Sequence, residues 1–203
     1  AVETIADFPQ TGTRELTAHD YIYEIKRLAL PRLHSPIFSM MAERIVGLRE
    51  LAALLQAEAK TQPAGAWLDL DRFPLTGVTR VDRYTYRITL RGKYPQFVYW
   101  LAMPFFAPVP REVDRFYHQP GMAAKNLTLD WYPVGTGPFM LTRNDPNSRM
   151  ILERNPNFHG ETYPCQGEPE DALDGLLADC GKPLPFIDKA VFSREKESIP
   201  YWN

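Results

Sequence analysis

The sequence predicts a mixed α/β protein in which helices dominate the first third and antiparallel hairpins the rest. Three observations carry this. Apolar residues recur at helical spacing between Thr17 and Ala59, the period changes to strict alternation from Val78, and two later stretches, 139–154 and 185–192, alternate again around Asn, Asp and Pro.

Residues 1–15 hold Pro9, Thr11, Gly12 and Thr13 and read as an irregular lead-in. Thr17 with Asp20 three positions on reads as a helix start, and Tyr21, Ile22, Ile25, Leu28 and Ala29 form its apolar face until Pro31 stops it. Pro36 opens a second predicted helix, Ile37 to about Val46. Gly47 separates it from a third, Leu48 to Ala59, with Leu51, Leu54 and Leu55 on one face. Thr61-Gln62-Pro63-Ala64-Gly65 breaks the pattern, and 67–77 is a predicted loop. Val78–Val81 and Tyr84–Leu90 then read as a half-buried hairpin around Asp82-Arg83.

Pro95 begins a predicted short aromatic helix through Tyr99 and Trp100, and Pro110 another that ends near Tyr117. Phe97, Trp100 and Phe105 lie in apolar runs and are expected to pack, as large rings in such runs do. Phe139–Arg143 and Arg149–Arg154 form a second predicted hairpin across Asn144–Ser148. Residues 185–192 read as one more strand.

At 203 residues and 44% hydrophobic content the chain is long enough to bury a core. Its net charge of −2 leaves no basic footprint for nucleic acid. No run of about 18 apolar residues marks a membrane span, so this segment is not expected to insert in a bilayer. The opening Ala1-Val2-Glu3-Thr4 lacks the basic and apolar regions of a signal peptide and is read as the start of an excised piece. Cys165 and Cys180, 15 positions apart, are far from zinc-ligand spacing and are read as a disulfide rather than two reduced thiols.

No metal site, cofactor site or catalytic motif emerges. His19, His34, His118 and His159 stand apart from one another and from carboxylates at ligand spacing. The acids Glu168, Glu170, Asp171, Asp174 and Asp179 lack the alternation of a calcium loop and read as a solvated run that starts a helix. A hydrolase or transferase lobe would require two or more of His19, His118, Asp130 and Asp145 to converge in a cleft. A cell-envelope interaction module, suggested by the 19 prolines, would require a large exposed apolar patch without a groove.

Gly135-Thr136-Gly137-Pro138 is a strand entry whose glycines expose backbone to a molecule that a Cβ would obstruct. Trp131 or Tyr132, just before it, is a candidate ligand neighbour. Four blocks in order carry a resemblance: Glu15–Asp20 with Tyr23–Ala29, Leu101–Pro110, Val134–Phe139 and Ile151–Phe158. Together they resemble the bacterial extracellular solute-binding proteins of peptide and nickel ABC transporters. The resemblance implies a two-lobed α/β periplasmic binding protein that closes on its ligand like a hinge, with this chain as a first-lobe fragment. It places residues 1–76 in a small subdomain, 77–186 in the sheet of the first lobe, and 187–203 on a strand leading toward a second lobe. It implies a non-enzymatic, periplasmic carrier of peptides or related solutes that works with ABC transporter permease subunits. It also puts Gly135, Thr136 and Gly137 against the ligand, where backbone groups bond an extended peptide.

Overall fold

A computed structural model describes residues 14–145, 147–158 and 160–194. The chain divides into two compact units, Ala1–Thr128 and Leu129–Asn203.

The first unit is built on α1 (Ala18–Arg27). The Thr17 amide donates to Asp20 Oδ2 at 2.9 Å, so a carboxylate placed three residues in satisfies a backbone group at the helix start. Lys26 and Arg27 in the last turn suit the negative end of the helix dipole. Leu30 is already extended, as a residue before proline is forced to be. Next come α2 (Phe38–Arg44) and α3 (Leu48–Thr61), split by Gly47 at φ 83°, a left-handed turn that a β-carbon disfavours.

The strands β1 (Val78–Arg80) and β2 (Tyr86–Ile88) pair antiparallel, with Val78 opposite Ile88. Asp82 Oδ1 accepts from the amides of Tyr84 and Thr85, both at 2.8 Å, which closes the turn between them. Past β2 the chain also pairs with the end of α2: the Val46 amide donates to Thr89 O and the Arg91 amide to Arg44 O. Gly77 permits this contact, because a Cβ there would lie 2.1 Å from the Val46 carbonyl oxygen.

The short helices α4 (Phe97–Leu101) and α5 (Arg111–Tyr117) complete this unit. Its core joins Tyr23, Ile25, Met41, Ile45, Leu51, Leu55 and Leu70, all fully buried, with Phe97 and Phe106 at one edge. Phe105 departs from the expectation of packing and is 38% exposed. Residues 104–106 form a tight three-residue turn, which sends adjacent side chains to different sides, and Phe106 takes the core position.

The second unit holds one antiparallel sheet ordered β3–β4–β5, from β3 (Phe139–Asp145), β4 (Arg149–Arg154) and β5 (Lys189–Ser193). Phe139 stands opposite Arg154 and Met150 opposite Phe192, with a bulge between Leu141 and Arg143. Between β4 and β5 the chain makes an excursion stapled by the Cys165–Cys180 disulfide and by the Tyr163 amide donating to Lys182 O. Inside it the acidic run starts α6 (Pro169–Leu173), where the Glu168 amide donates to Asp171 Oδ2 at 2.8 Å. Pro146 and His159 lie outside the described residues.

Candidate functional site

The second unit places the expected ligand turn at the entry to β3. Gly135, Thr136 and Gly137 are all exposed. A Cβ built on either glycine meets nothing within 4 Å, so the fold itself does not require glycine at these two positions. Among the described residues, no hydrogen bond engages the amides of Gly135, Thr136 and Gly137 or the carbonyls of Val134, Gly135 and Thr136. The turn therefore offers a ligand up to three donors and three acceptors.

Two asparagines hold the ends of this segment. Asn144 Nδ2 donates to Trp131 O at 3.2 Å, and Asn155 Nδ2 donates to Gly137 O at 2.9 Å. The Asn155 backbone amide donates to Pro138 O at 2.8 Å, and its Oδ1 accepts from the Asn157 amide at 3.0 Å. Trp131 is half-buried and Tyr132 exposed. The sequence offered a partial signal for Asn155, since Asn-Pro marks turns, but no local pattern says that its amide reaches back 18 residues.

In the first unit charge concentrates around Asp114, which is 1% exposed. Its Oδ2 accepts from Tyr23 Oη and Trp67 Nε1, both at 2.9 Å, and Arg27 Nε lies 3.3 Å from its Oδ1. Arg27 Nη1 also donates to Glu24 at 2.6 Å. Burial pushes the Glu24 carboxyl up to about 7, against the pull of Arg27 and with the help of Asp114. The guanidinium faces two carboxylates, so its own affinity for the proton rises despite burial. The two partners are thus unequal: burial prevails at Glu24 and attraction at Arg27.

His118 caps the C-terminal end of α5 beside Asp114, and burial lowers its proton affinity although the Asp114 backbone and carboxylate oppose this. His19 instead pairs with Asp71 at 2.9 Å, a bond that raises its proton affinity. Asp130 and Asp145 belong to the other unit, where the Asp145 side chain accepts from the Asn147 amide. His19, His118 and Asp145 therefore have separate partners. Asp114 accepts two hydrogen bonds and faces the Arg27 guanidinium as an ion pair, and it serves to tie α1, α5 and the loop at Trp67 together.

A recess of about 250 Å³ lies by Trp67, Asp69, Phe73, Glu58 and Gln62. Arg111 already holds the Asp69 carboxylate with two bonds, at 3.0 and 2.9 Å. Among the described residues no cluster of three or more His, Cys, Asp or Glu could hold a metal ion, and no helix is long and apolar enough to cross a membrane.

Residues 10–192 match the family model described as bacterial extracellular solute-binding proteins, family 5 Middle. The chain belongs to this family. It is 31% identical over 143 residues, 70% of its length, to the periplasmic oligopeptide-binding protein OppA of Salmonella typhimurium, of which it covers 23%. It is 28% identical over 147 residues, 71% of its length, to the periplasmic murein peptide-binding protein MppA of Escherichia coli, of which it covers 22%. The chain thus spans about a quarter of the length of these curated relatives.

Among solved structures, DppA from Helicobacter pylori in complex with the peptide STSA matches 94% of this chain and 28% of its own, with TM-score 0.59 and 19% identity. An oligopeptide-binding protein from Borrelia burgdorferi matches 93% of this chain and 29% of its own, with TM-score 0.58 and 19% identity. These matches establish the fold as that of part of a periplasmic binding protein. Members of the family are binding proteins.

Proposed function

We propose that this chain forms part of the ligand-capturing component of an ABC importer. It takes up peptides or related small solutes in the periplasm and presents them to the permease subunits, acting by binding and without catalysis. The reading draws support from family membership and from relatives whose names describe periplasmic peptide binding. The observation that carries it is the exposed Val134–Gly137 backbone, where the amides of 135–137 and the carbonyls of 134–136 are open and suit strand-like pairing with a peptide. Gly135, Thr136 and Gly137 are the ligand-contacting residues of this proposal. Residues 1–76 are assigned to a small subdomain, 77–186 to the sheet of the first lobe, and 187–203 to a strand leading toward a second lobe.

Mass spectrometry of solutes co-purifying with the native protein tests the proposal and is expected to yield peptides. Recovery of a substrate that the protein converts to product would overturn it. Gly137→Val supplies a second test: the added side chain meets open space in the free protein, so thermal stability stays within about 0.5 kcal/mol of the parent. Affinity for the co-purifying peptide should fall at least 10-fold, because the isopropyl group occupies the path of the incoming backbone. Unchanged affinity would remove Gly137 from the site.

A further inference from the structure

We infer that Asn155 is the positioning residue of the Gly135–Gly137 turn: its side chain holds the turn in the form that receives a ligand, without touching that ligand. The inference rests on the peptide-capture reading for its functional consequence and on geometry alone for its structural part.

In an extended strand successive carbonyls point to opposite sides. Here two successive carbonyls, those of Gly137 and Pro138, converge on one residue. Pro138 O accepts from the Asn155 backbone amide at 2.8 Å and Gly137 O from its side-chain amide at 2.9 Å. The chain must therefore bend at Gly137, and the side chain of Asn155 fixes that bend.

The other half of the Asn155 amide accepts from the Asn157 amide at 3.0 Å, and its backbone carbonyl from the Phe158 amide at 3.2 Å. All these bonds leave one residue that is 8% exposed, the one residue classed as buried among the described residues of the second unit. A buried side-chain amide that donates one bond and accepts another resists rotation, since turning it breaks both.

The arrangement also decides which backbone groups remain for a ligand. Asn155 takes the carbonyls of Gly137 and Pro138, and proline has no amide to give. The open set is then the three amides of 135–137 and the three carbonyls of 134–136. Asn144, from the end of β3, anchors the same segment at Trp131 O, so Val134–Thr136 spans two fixed points.

Three variants of the full chain separate positioning from mere stability. Asn155→Ala removes both side-chain bonds, Asn155→Asp keeps the acceptor for Asn157 but loses the donor to Gly137, and Ser148→Ala is an exposed control in the β3–β4 turn. The first readout needs no ligand: the backbone order parameters of Thr136, Gly137 and Phe139. Those of Thr136 and Gly137 should fall from about 0.85, the rigid range, toward about 0.6 in both Asn155 variants, while Phe139 in the sheet stays as in the parent. The second readout is the affinity for trialanine and for the peptide fraction that co-purifies with the parent, expected to weaken roughly 5-fold or more in Asn155→Asp.

Unchanged order parameters at Thr136 and Gly137 in folded Asn155→Asp would overturn the inference whatever the ligand data show. Altered order parameters with unaltered peptide affinity would overturn its functional half. A parent that binds neither probe counts against the peptide-capture reading, and the order parameters still decide the role of Asn155.

Discussion

Replacing Asp114 with alanine should cost about 4 kcal/mol of stability, a figure that follows from the groups it would abandon. The carboxylate is buried and accepts from Tyr23 Oη and Trp67 Nε1, while Arg27 Nε faces it at 3.3 Å. Each neutral donor left dry costs about 1–3 kcal/mol. Arg27 keeps Glu24, so its loss is smaller than that of a charge stripped of every partner, and the total falls within the roughly 3–5 kcal/mol seen when a buried pair is broken. Urea denaturation followed by tryptophan fluorescence is the assay. With a slope of about 2 kcal/mol/M the midpoint should drop by about 2 M. Tyr23→Phe, which removes one hydrogen bond and leaves that of Trp67 and the Arg27 ion pair, should cost only about 1 kcal/mol. An Asp114→Ala midpoint within 0.5 M of the parent, roughly 1 kcal/mol on the same slope, would show that solvent or repacking replaces the carboxylate and would refute its role as the tie between α1 and α5.

Gly77→Ala should destabilise by about 3 kcal/mol or more, measured by the same denaturation, because the new Cβ would sit 2.1 Å from a backbone oxygen that cannot swing away. Stability should fall as pH rises from 4.5 to about 7, since over that window the native state keeps the Glu24 proton that the unfolded chain has released. The change amounts to at most about 3 kcal/mol, and Glu24→Gln should flatten it in thermal melts taken across the window. His118 works in the other direction, withdrawing stability as pH drops below 6.5, so the Gln variant isolates the Glu24 share. Joint replacement of Cys165 and Cys180 by serine should free the 163–183 excursion, with a loss of roughly 3 kcal/mol for a closed loop of 15 residues. Faster proteolysis near Leu176 would report it, and equal cleavage rates would argue against a stabilising bond.

Much of the fold was legible because its signals are local. The Thr17–Asp20 start, the Gly47 break and the turn around Asp82 each depend on residues within four positions, and the structure forms all three. The strands of the second hairpin were readable for the same reason, and the disulfide pairing because the chain has only two cysteines. What escaped were bonds between distant residues. Tyr23 and Asp114 are separated by 91 positions and Asn155 and Gly137 by 18, and in each pair the residue types are ordinary for their place. Helix periodicity even misdirects at α1, where Asp20, Glu24 and Lys26 are buried along with the apolar face because each has a partner: Arg14 for Asp20, Arg27 on the same helix for Glu24, and Leu70 O for Lys26. Phe105 and Phe106 show the same limit on a smaller scale: composition says that one ring packs, and only the pitch of the turn decides which.

The glycines of this chain fall into two kinds that a mutational selection would tell apart. At Gly47 and Gly77 neighbouring atoms already fill the space a methyl group needs. A library screened only for soluble, protease-resistant protein would purge substitutions there while letting Gly135 and Gly137 drift. On the function proposed above, screening the same library for growth on an imported nutrient would add the second pair to the intolerant set, so the difference between the two screens would map the ligand-facing surface without any bound ligand in view.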